Sequence, residues 1–280
     1  MIRDLDPPHH LVRDVVARAL AEDLGLLGDL TSIAVIDDET TGTATFVARS
    51  EGILAGTAAA TETSLQLDAT VRVEWQAVDG DEIRADQPLG HVSGPLRAIL
   101  GGERTALNLL QHCSGIATLT RRFVRGAHGK ARIRDTRKTL PGLRGLEKAA
   151  VRAGGGFNHR ESLSDAILIK DNHLRHVELR QAVDRARARW PGRVVEVECD
   201  TLEQVAEALE ASADLILLDN MSPEQVGAAR KLVDGAIPLE VSGSIALETV
   251  GAYAQTGIDY ISVGAITHSA PALDIALDLG

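Results

Sequence analysis

From residue 131 onward the chain repeats one pattern: a short apolar run, then a helical segment, then another apolar run. The runs are Ala131–Asp135, Ala166–Lys170, Val194–Cys199, Leu215–Leu218, Leu239–Ser242 and Tyr260–Val263. Helical spacing falls near 143–153, 174–189, 201–211, 223–233 and 246–256. Strands alternating with helices mean parallel βα units, in either a doubly wound sheet or a barrel. Pro191-Gly192 and Gly257 fit breaks before strands, and Pro223 fits the first turn of its helix. The part before residue 131 reads differently. Helical spacing at Asp14–Leu24 and Ala55–Leu67 alternates with strand-like runs at Thr43–Arg49 and Val71–Val78. Asp79-Gly80-Asp81 marks a turn, and a short strand pair follows to about Leu96. Gly101-Gly102 punctuates before a long helix over Glu103–Arg125. The first part is therefore an α+β layout.

Every one of the six later strands runs into polar or glycine-bearing residues at its C-terminal end: Asp135-Thr136-Arg137-Lys138, Lys170-Asp171-Asn172-His173, Glu198, Asp219-Asn220, Ser242-Gly243-Ser244 and Ser262-Val263-Gly264. Catalytic residues gather at this rim in barrels and open α/β sheets alike. Strand parity adds detail. Glu196 and Glu198 share one face and alternate with Val195, Val197 and Cys199, so an inward face would line the interior with two carboxylates. Buried acids need partners. Lys170, on the face of Ala166 and Leu168, is a candidate.

The last two loops suit a phosphate, which backbone N–H groups and hydroxyls bind without bulky side chains. Ordinary turns use the same residues. Glu198 and Asp219 have the lone pairs to hold sugar hydroxyls or a magnesium ion, and the charge to stabilise a cationic ribose; structural ion pairing with Lys170 or an arginine is the plainer alternative. Arg137, Lys138, Arg160 and Lys170 exceed what one phosphate needs, so the ligand set should be highly anionic. His159, His173 and His268 lie near the same loops, and Arg160 beside His159 favours a functional His159. Arg144, Lys148 and Arg152 read as a solvated helix face.

Composition narrows the classes. With 40 acids against 29 bases the net charge is −11, which argues against a general nucleic-acid surface. Aromatics are 2%, too few for a base-stacking platform. Met1-Ile2-Arg3-Asp4 shows no signal-peptide core, no apolar run suits a membrane span, and Cys113 and Cys199 have no metal or redox spacing. The expectation is a soluble cytoplasmic protein whose cysteines are small core residues, with no nucleic-acid or membrane partner.

Longer signatures carry a family resemblance. Asp135-Thr136-Arg137-Lys138-Thr139, Gly154-Gly155-Gly156-Phe157-Asn158-His159-Arg160 and Leu168-Ile169-Lys170-Asp171-Asn172-His173 resemble the signature region of quinolinate phosphoribosyltransferases. Glu103-Arg104-Thr105-Ala106-Leu107-Asn108, Glu196-Val197-Glu198, Leu217-Leu218-Asp219-Asn220 and both serine-glycine loops extend the likeness over nearly the whole chain. It implies an α/β fold, with an N-terminal α+β sandwich domain over 1–112 followed by an incomplete α/β barrel over 113–269. A final helix over 270–280 would return to the first domain.

The resemblance also implies a site. Arg104 from a partner subunit, Arg137, His159, Arg160 and Lys170 would surround quinolinate, with Lys138 near the pyrophosphate; Thr136 and His268 also belong to the expected substrate-binding set. Glu198 and Asp219 would face the ribose. The serine-glycine loops Ser242, Gly243, Ser244 and Ser262, Val263, Gly264 would take the 5-phosphate. Lys170, Glu198 and Asp219 are the expected catalytic residues. Mg2+ would arrive with phosphoribosyl pyrophosphate, and no dedicated protein metal site is expected. The assembly implied is a homodimer with shared sites; higher oligomers of dimers stay open. The products would be nicotinate mononucleotide, pyrophosphate and CO2. A same-fold transferase acting on nicotinate or another acceptor is the nearer alternative, and a non-catalytic sugar-phosphate sensor the remoter one.

Overall fold

The structure, a computed structural model, describes residues 5–280. Met1–Asp4, which bear on the signal-peptide reading, lie outside the described residues. In chain order the elements are α1 (His9–Leu24), α2 (Leu30–Val35), β1 (Thr41–Ala48), β2 (Gly52–Ile53), α3 (Thr57–Leu67), β3 (Arg72–Trp75), β4 (Glu82–Ile83), β5 (Pro88–Pro95) and α4 (Leu96–Gly126). They continue with β6 (Arg132–Arg134), α5 (Arg144–Ala153), β7 (Ile167–Ile169), α6 (Asp171–Leu174), α7 (Leu179–Arg189), β8 (Val195–Cys199), α8 (Leu202–Glu210), β9 (Leu215–Asp219) and α9 (Pro223–Val233). The last are β10 (Leu239–Ser242), α10 (Val250–Ala254), β11 (Tyr260–Ser262), α11 (Ala265–His268) and β12 (Ile275–Leu279). Among the described residues, no helix is long and apolar enough to cross a membrane.

Among the described residues, one compact unit comprises 5–121, 139–155 and 266–280; the other comprises 122–138 and 156–265. The chain thus crosses between units more often than a single boundary near 113 provides. The first unit holds an antiparallel sheet in the order β12-β1-β5-β3. Its core is mainly aliphatic, with Phe46 stacked on Trp75 at 4.9 Å.

Three expectations for this unit change. The expected terminal helix is instead strand β12, paired with β1 in the register Phe46↔Leu277. Ile275, Leu277 and Leu279 alternate with Ala276 and Asp278, a period of two, and the edge of β1 supplies the backbone partners. Gly101-Gly102 do not break α4. A Cβ on Gly102 would stand 2.8 Å from Leu67 Cδ1, so the missing side chain lets α3 and α4 approach closely. The basic face of α5 is not simply solvated. Lys148 is buried at 2% exposure, Arg144 Nε donates to Thr139 Oγ1 at 3.0 Å, and Arg152 Nη2 donates to the carbonyls of Leu5 and Asp6. Buried Glu147 accepts from Leu140 N and meets His112 Nε2 at 2.9 Å, so α5 is enclosed on more faces than its charge suggests.

The second unit is a parallel sheet in the order β6-β11-β10-β9-β8-β7, an incomplete α/β barrel with β6 and β7 at its two ends. Its registers align one side-chain parity all the way round: Leu168↔Glu196, Glu198↔Leu217, Glu240↔Leu217, Glu240↔Tyr260 and Arg134↔Ser262. The opposite parity, with Val195, Val197, Ile216, Leu218, Val241 and Ile261, is fully buried. Thr201 with Gln204, and Ser222 with Gln225, form capping boxes that start α8 and α9 directly after the β8 and β9 ends. Both cysteines are buried, and burial pushes the Cys199 thiol up to about 12.

Candidate active site

The C-terminal ends of the parallel strands enclose a cavity of about 410 Å3, lined entirely by the second unit. The loop after β6 contributes Thr136, Arg137 and Lys138; the segment before β7 contributes His159 and Arg160. Lys170, Glu198, Asp219, Ser242 and Ser262 follow from successive strand ends. Cations thus stand at both ends of the sheet order, after β6 and around β7, with carboxylates and hydroxyls on the strands between them.

Lys170 Nζ donates to Glu198 Oε2, one of the two partners that strand parity suggested. Burial pushes the Glu198 carboxyl above its usual value; the Lys170 bond opposes this, while Asp219 and Asp171 reinforce it. Asp219 is likewise raised by burial and by Asp200, against the pull of Lys170 and Lys138. Its Oδ2 accepts from Asn220 Nδ2 at 2.7 Å. Arg160 Nη1 donates to Ala166 O at 3.0 Å, and burial followed by repulsion from Arg137 lowers its pKa. Arg137 Nε is buried without a hydrogen-bond partner, a donor suited to an anionic ligand. Thr136 Oγ1 accepts from Lys138 N at 3.0 Å, which fixes the loop carrying both cations.

The serine-glycine loops divide in role. Ser242 lines the cavity, and Gly243 has φ 105°; a Cβ there would lie 2.2 Å from Asn220 Oδ1. Ser244 is exposed with φ 49°. Ser262 Oγ donates to Glu240 Oε1 at 2.5 Å, so that hydroxyl is committed to the protein. Val263 is buried and its N–H donates to Arg134 O at 3.0 Å, which leaves it no amide for a phosphate. Gly243, Ser244, Val263 and Gly264 are not among the lining residues. Arg104 and His268 belong to the first unit and are exposed; His268 Nδ1 lies 2.6 Å from Ser269 Oγ. His173 Nδ1 accepts from Lys170 N at 2.9 Å, a cap on α6.

Two supporting carboxylates, Asp135 and Glu240, were given no role by the sequence reading. Asp135, fully buried, accepts from Asn158 Nδ2 at 2.5 Å and from His159 N at 2.8 Å, tying the glycine-rich segment to β6. Glu240, fully buried, accepts from Arg134 Nη1 at 2.5 Å. Burial and the charge of Glu196 push its carboxyl up. The signal was available: Glu240 is a charge at the inward parity of an apolar run, the same pattern that singled out Glu196 and Glu198.

Comparison with known proteins agrees with this architecture. Residues 29–114 match the quinolinate phosphoribosyl transferase N-terminal domain, and residues 116–278 match its C-terminal domain. A nicotinate-nucleotide pyrophosphorylase (carboxylating) of Mycobacterium leprae is 46% identical over 277 residues, covering 95% of this chain and 96% of the relative. A probable enzyme of the same name from Bacillus subtilis is 44% identical over 97% of this chain and 94% of its own. The solved nicotinate-nucleotide pyrophosphorylase of Francisella tularensis superposes with a TM-score of 0.93 at 40% identity over 98% of each chain. The chain belongs to the quinolinate phosphoribosyltransferase family.

Proposed function

We propose that this cavity carries out the family's reaction, moving a phosphoribosyl group from phosphoribosyl pyrophosphate to quinolinate with loss of CO2. The observation that carries this reading is the split of charge within one cavity: Arg137, Lys138, Arg160 and Lys170 line it together with Glu198 and Asp219. The cations suit a dicarboxylate and a pyrophosphate; the acids suit a sugar that becomes cationic.

In this mechanism Arg137 and Arg160 hold the two carboxylates of quinolinate so that the ring nitrogen faces C1 of the ribose. Lys138 attracts the pyrophosphate as its bond to C1 breaks. Glu198 and Asp219 stabilise the positive charge that develops on the ribose. The pyridine nitrogen then bonds to C1. The quaternised ring accepts the electron pair left when the neighbouring carboxylate departs as CO2, and a proton replaces it on carbon. Glu198 and Asp219 are hard oxygen donors at adjacent strand ends and fit a magnesium ion bound with the donor; it would neutralise pyrophosphate charge. Ser242 and the Gly243 turn would receive the 5-phosphate.

The active assembly is read as a homodimer in which Arg104 completes the partner's site. Its exposed position on α4 supports this, as does the exposed apolar stretch Leu26, Leu27, Leu30, Ile33 and Val35. The two unpaired cysteines suit a reducing cytoplasmic setting.

The test supplies quinolinate, phosphoribosyl pyrophosphate and magnesium, and measures CO2 with the nucleotide formed. Nicotinate is the control. It lacks one carboxylate and should lose roughly 1.5–3 kcal/mol per charged hydrogen bond left unmade. Equal kcat/KM for the two acids would overturn the reading.

A further inference from the structure

In the cavity wall His159 meets two buried acids. Its Nε2 lies 3.1 Å from Glu196 Oε2 and 3.4 Å from Glu240 Oε1. Its Nδ1 accepts a hydrogen bond from the backbone N–H of Arg160 at 2.7 Å. That second contact decides the tautomer. A backbone N–H can only donate, so Nδ1 carries a lone pair and the ring proton resides on Nε2, facing the carboxylates.

The ring nitrogen and the carboxylate oxygens lie within 4.8 Å of one another, a spacing that a metal ion could use. The tautomer opposes that use, because a protonated Nε2 has no lone pair to give. The guanidinium of Arg134 also already holds Glu240. The cluster is built around a proton. Glu240 is fixed by Arg134 and Ser262, and Glu196, at 2% exposure, keeps Oε1 without a hydrogen-bond partner. Two acids buried this deeply are costly to keep unless their geometry matters.

We propose that Glu196 and Glu240 are positioning residues acting through His159: by holding its proton on Nε2 they keep Nδ1 as the acceptor that fixes the Arg160 backbone. Arg160 is then anchored at both ends, by its N–H on His159 and by Nη1 on Ala166 O. Both nitrogens of His159 face protein groups, so its ring orients the arginine. The substrate half of this inference rests on the reading of the cavity as a quinolinate site.

The experiment compares Glu196→Leu with Glu196→Gln. Leucine removes the nearer of the two acceptors for Nε2–H and leaves only the longer contact to Glu240; glutamine keeps a carbonyl oxygen there. Quinolinate binding measured calorimetrically should weaken about tenfold in Glu196→Leu and recover to within about threefold in Glu196→Gln. Phosphoribosyl pyrophosphate affinity should stay within about twofold in both, since its phosphate anchors, Lys138, Ser242 and the Gly243 turn, lie on other strands than Glu196. Ring 15N spectra, with the His159 signals identified by a His159→Gln variant, should show protonated Nε2 and unprotonated Nδ1 in the wild type and in Glu196→Gln. A wild-type ring protonated at Nδ1 would overturn the proposal. So would wild-type quinolinate affinity in Glu196→Leu, or an equal loss for both substrates. If the wild-type protein binds no quinolinate, the function reading fails, and the spectra, recorded without ligand, still decide the tautomer.

Discussion

Lys170→Ala removes the cation that faces Glu198, and its consequences differ for turnover and for stability. Breaking a fully buried ion pair costs about 3–5 kcal/mol. Here the lysine side chain is 42% exposed and the glutamate 11%, so solvent screens the pair and the expected stability loss near neutral pH falls to roughly 1–2 kcal/mol. That loss must depend on pH. The Glu198 carboxyl already sits above its usual 4.5 in the folded chain. A raised acid contributes stability that is full below its unfolded value and lost as pH rises through its folded value. Without Lys170 the folded value moves higher still, so the loss continues to higher pH. The gap in Tm between wild type and Lys170→Ala should therefore be small near pH 4 and grow toward pH 8. Turnover should fall at least about a hundredfold at every pH, the scale for removing one charge-stabilising group from a site. Thermal unfolding from pH 4 to 8, paired with CO2 release, reads both quantities. A Tm gap that does not change with pH, or turnover within tenfold of wild type, would refute the reasoning.

Three further outcomes are expected. Glu198→Gln and Asp219→Asn should lower kcat more than they weaken quinolinate binding; because burial raises both carboxyls, the acidic limb of the wild-type rate profile should lie above ordinary carboxylate values, and a limb unchanged in both variants would contradict this. Gly243→Ala places a methyl 2.2 Å from Asn220 Oδ1 at φ 105°, so it should cost about 1–3 kcal/mol of stability and weaken phosphoribosyl pyrophosphate binding; wild-type Tm and affinity together would show that the loop relaxes freely. Arg104→Ala and Lys170→Ala should each be inactive alone, yet mixed dimers regain one complete site, so random reassociation should restore roughly a quarter of wild-type activity; no recovery after confirmed exchange would place Arg104 in its own subunit's structure.

The alternation of apolar runs and helical segments after residue 131 was enough to identify the parallel sheet, because each βα unit encodes its own periodicity and caps locally. Strand-end polarity located the cavity's rim for the same reason, and parity made Lys170 a candidate partner for Glu196 or Glu198. Tertiary structure decided what local pattern leaves open. The last residues, Ile275–Leu279, become a strand because β1 offers an edge, a partner distant in sequence. Gly101-Gly102 stay within α4, where Gly102 packs closely against α3, and Lys148 is buried because α5 is enclosed on more than one face. Within the site, Ser262 and Val263 resemble phosphate-loop residues in sequence, yet Glu240 and Arg134 claim their hydroxyl and amide. A sequence displays donors and acceptors along one line. Only the closed arrangement of strands determines which of them satisfy one another and which remain for a substrate.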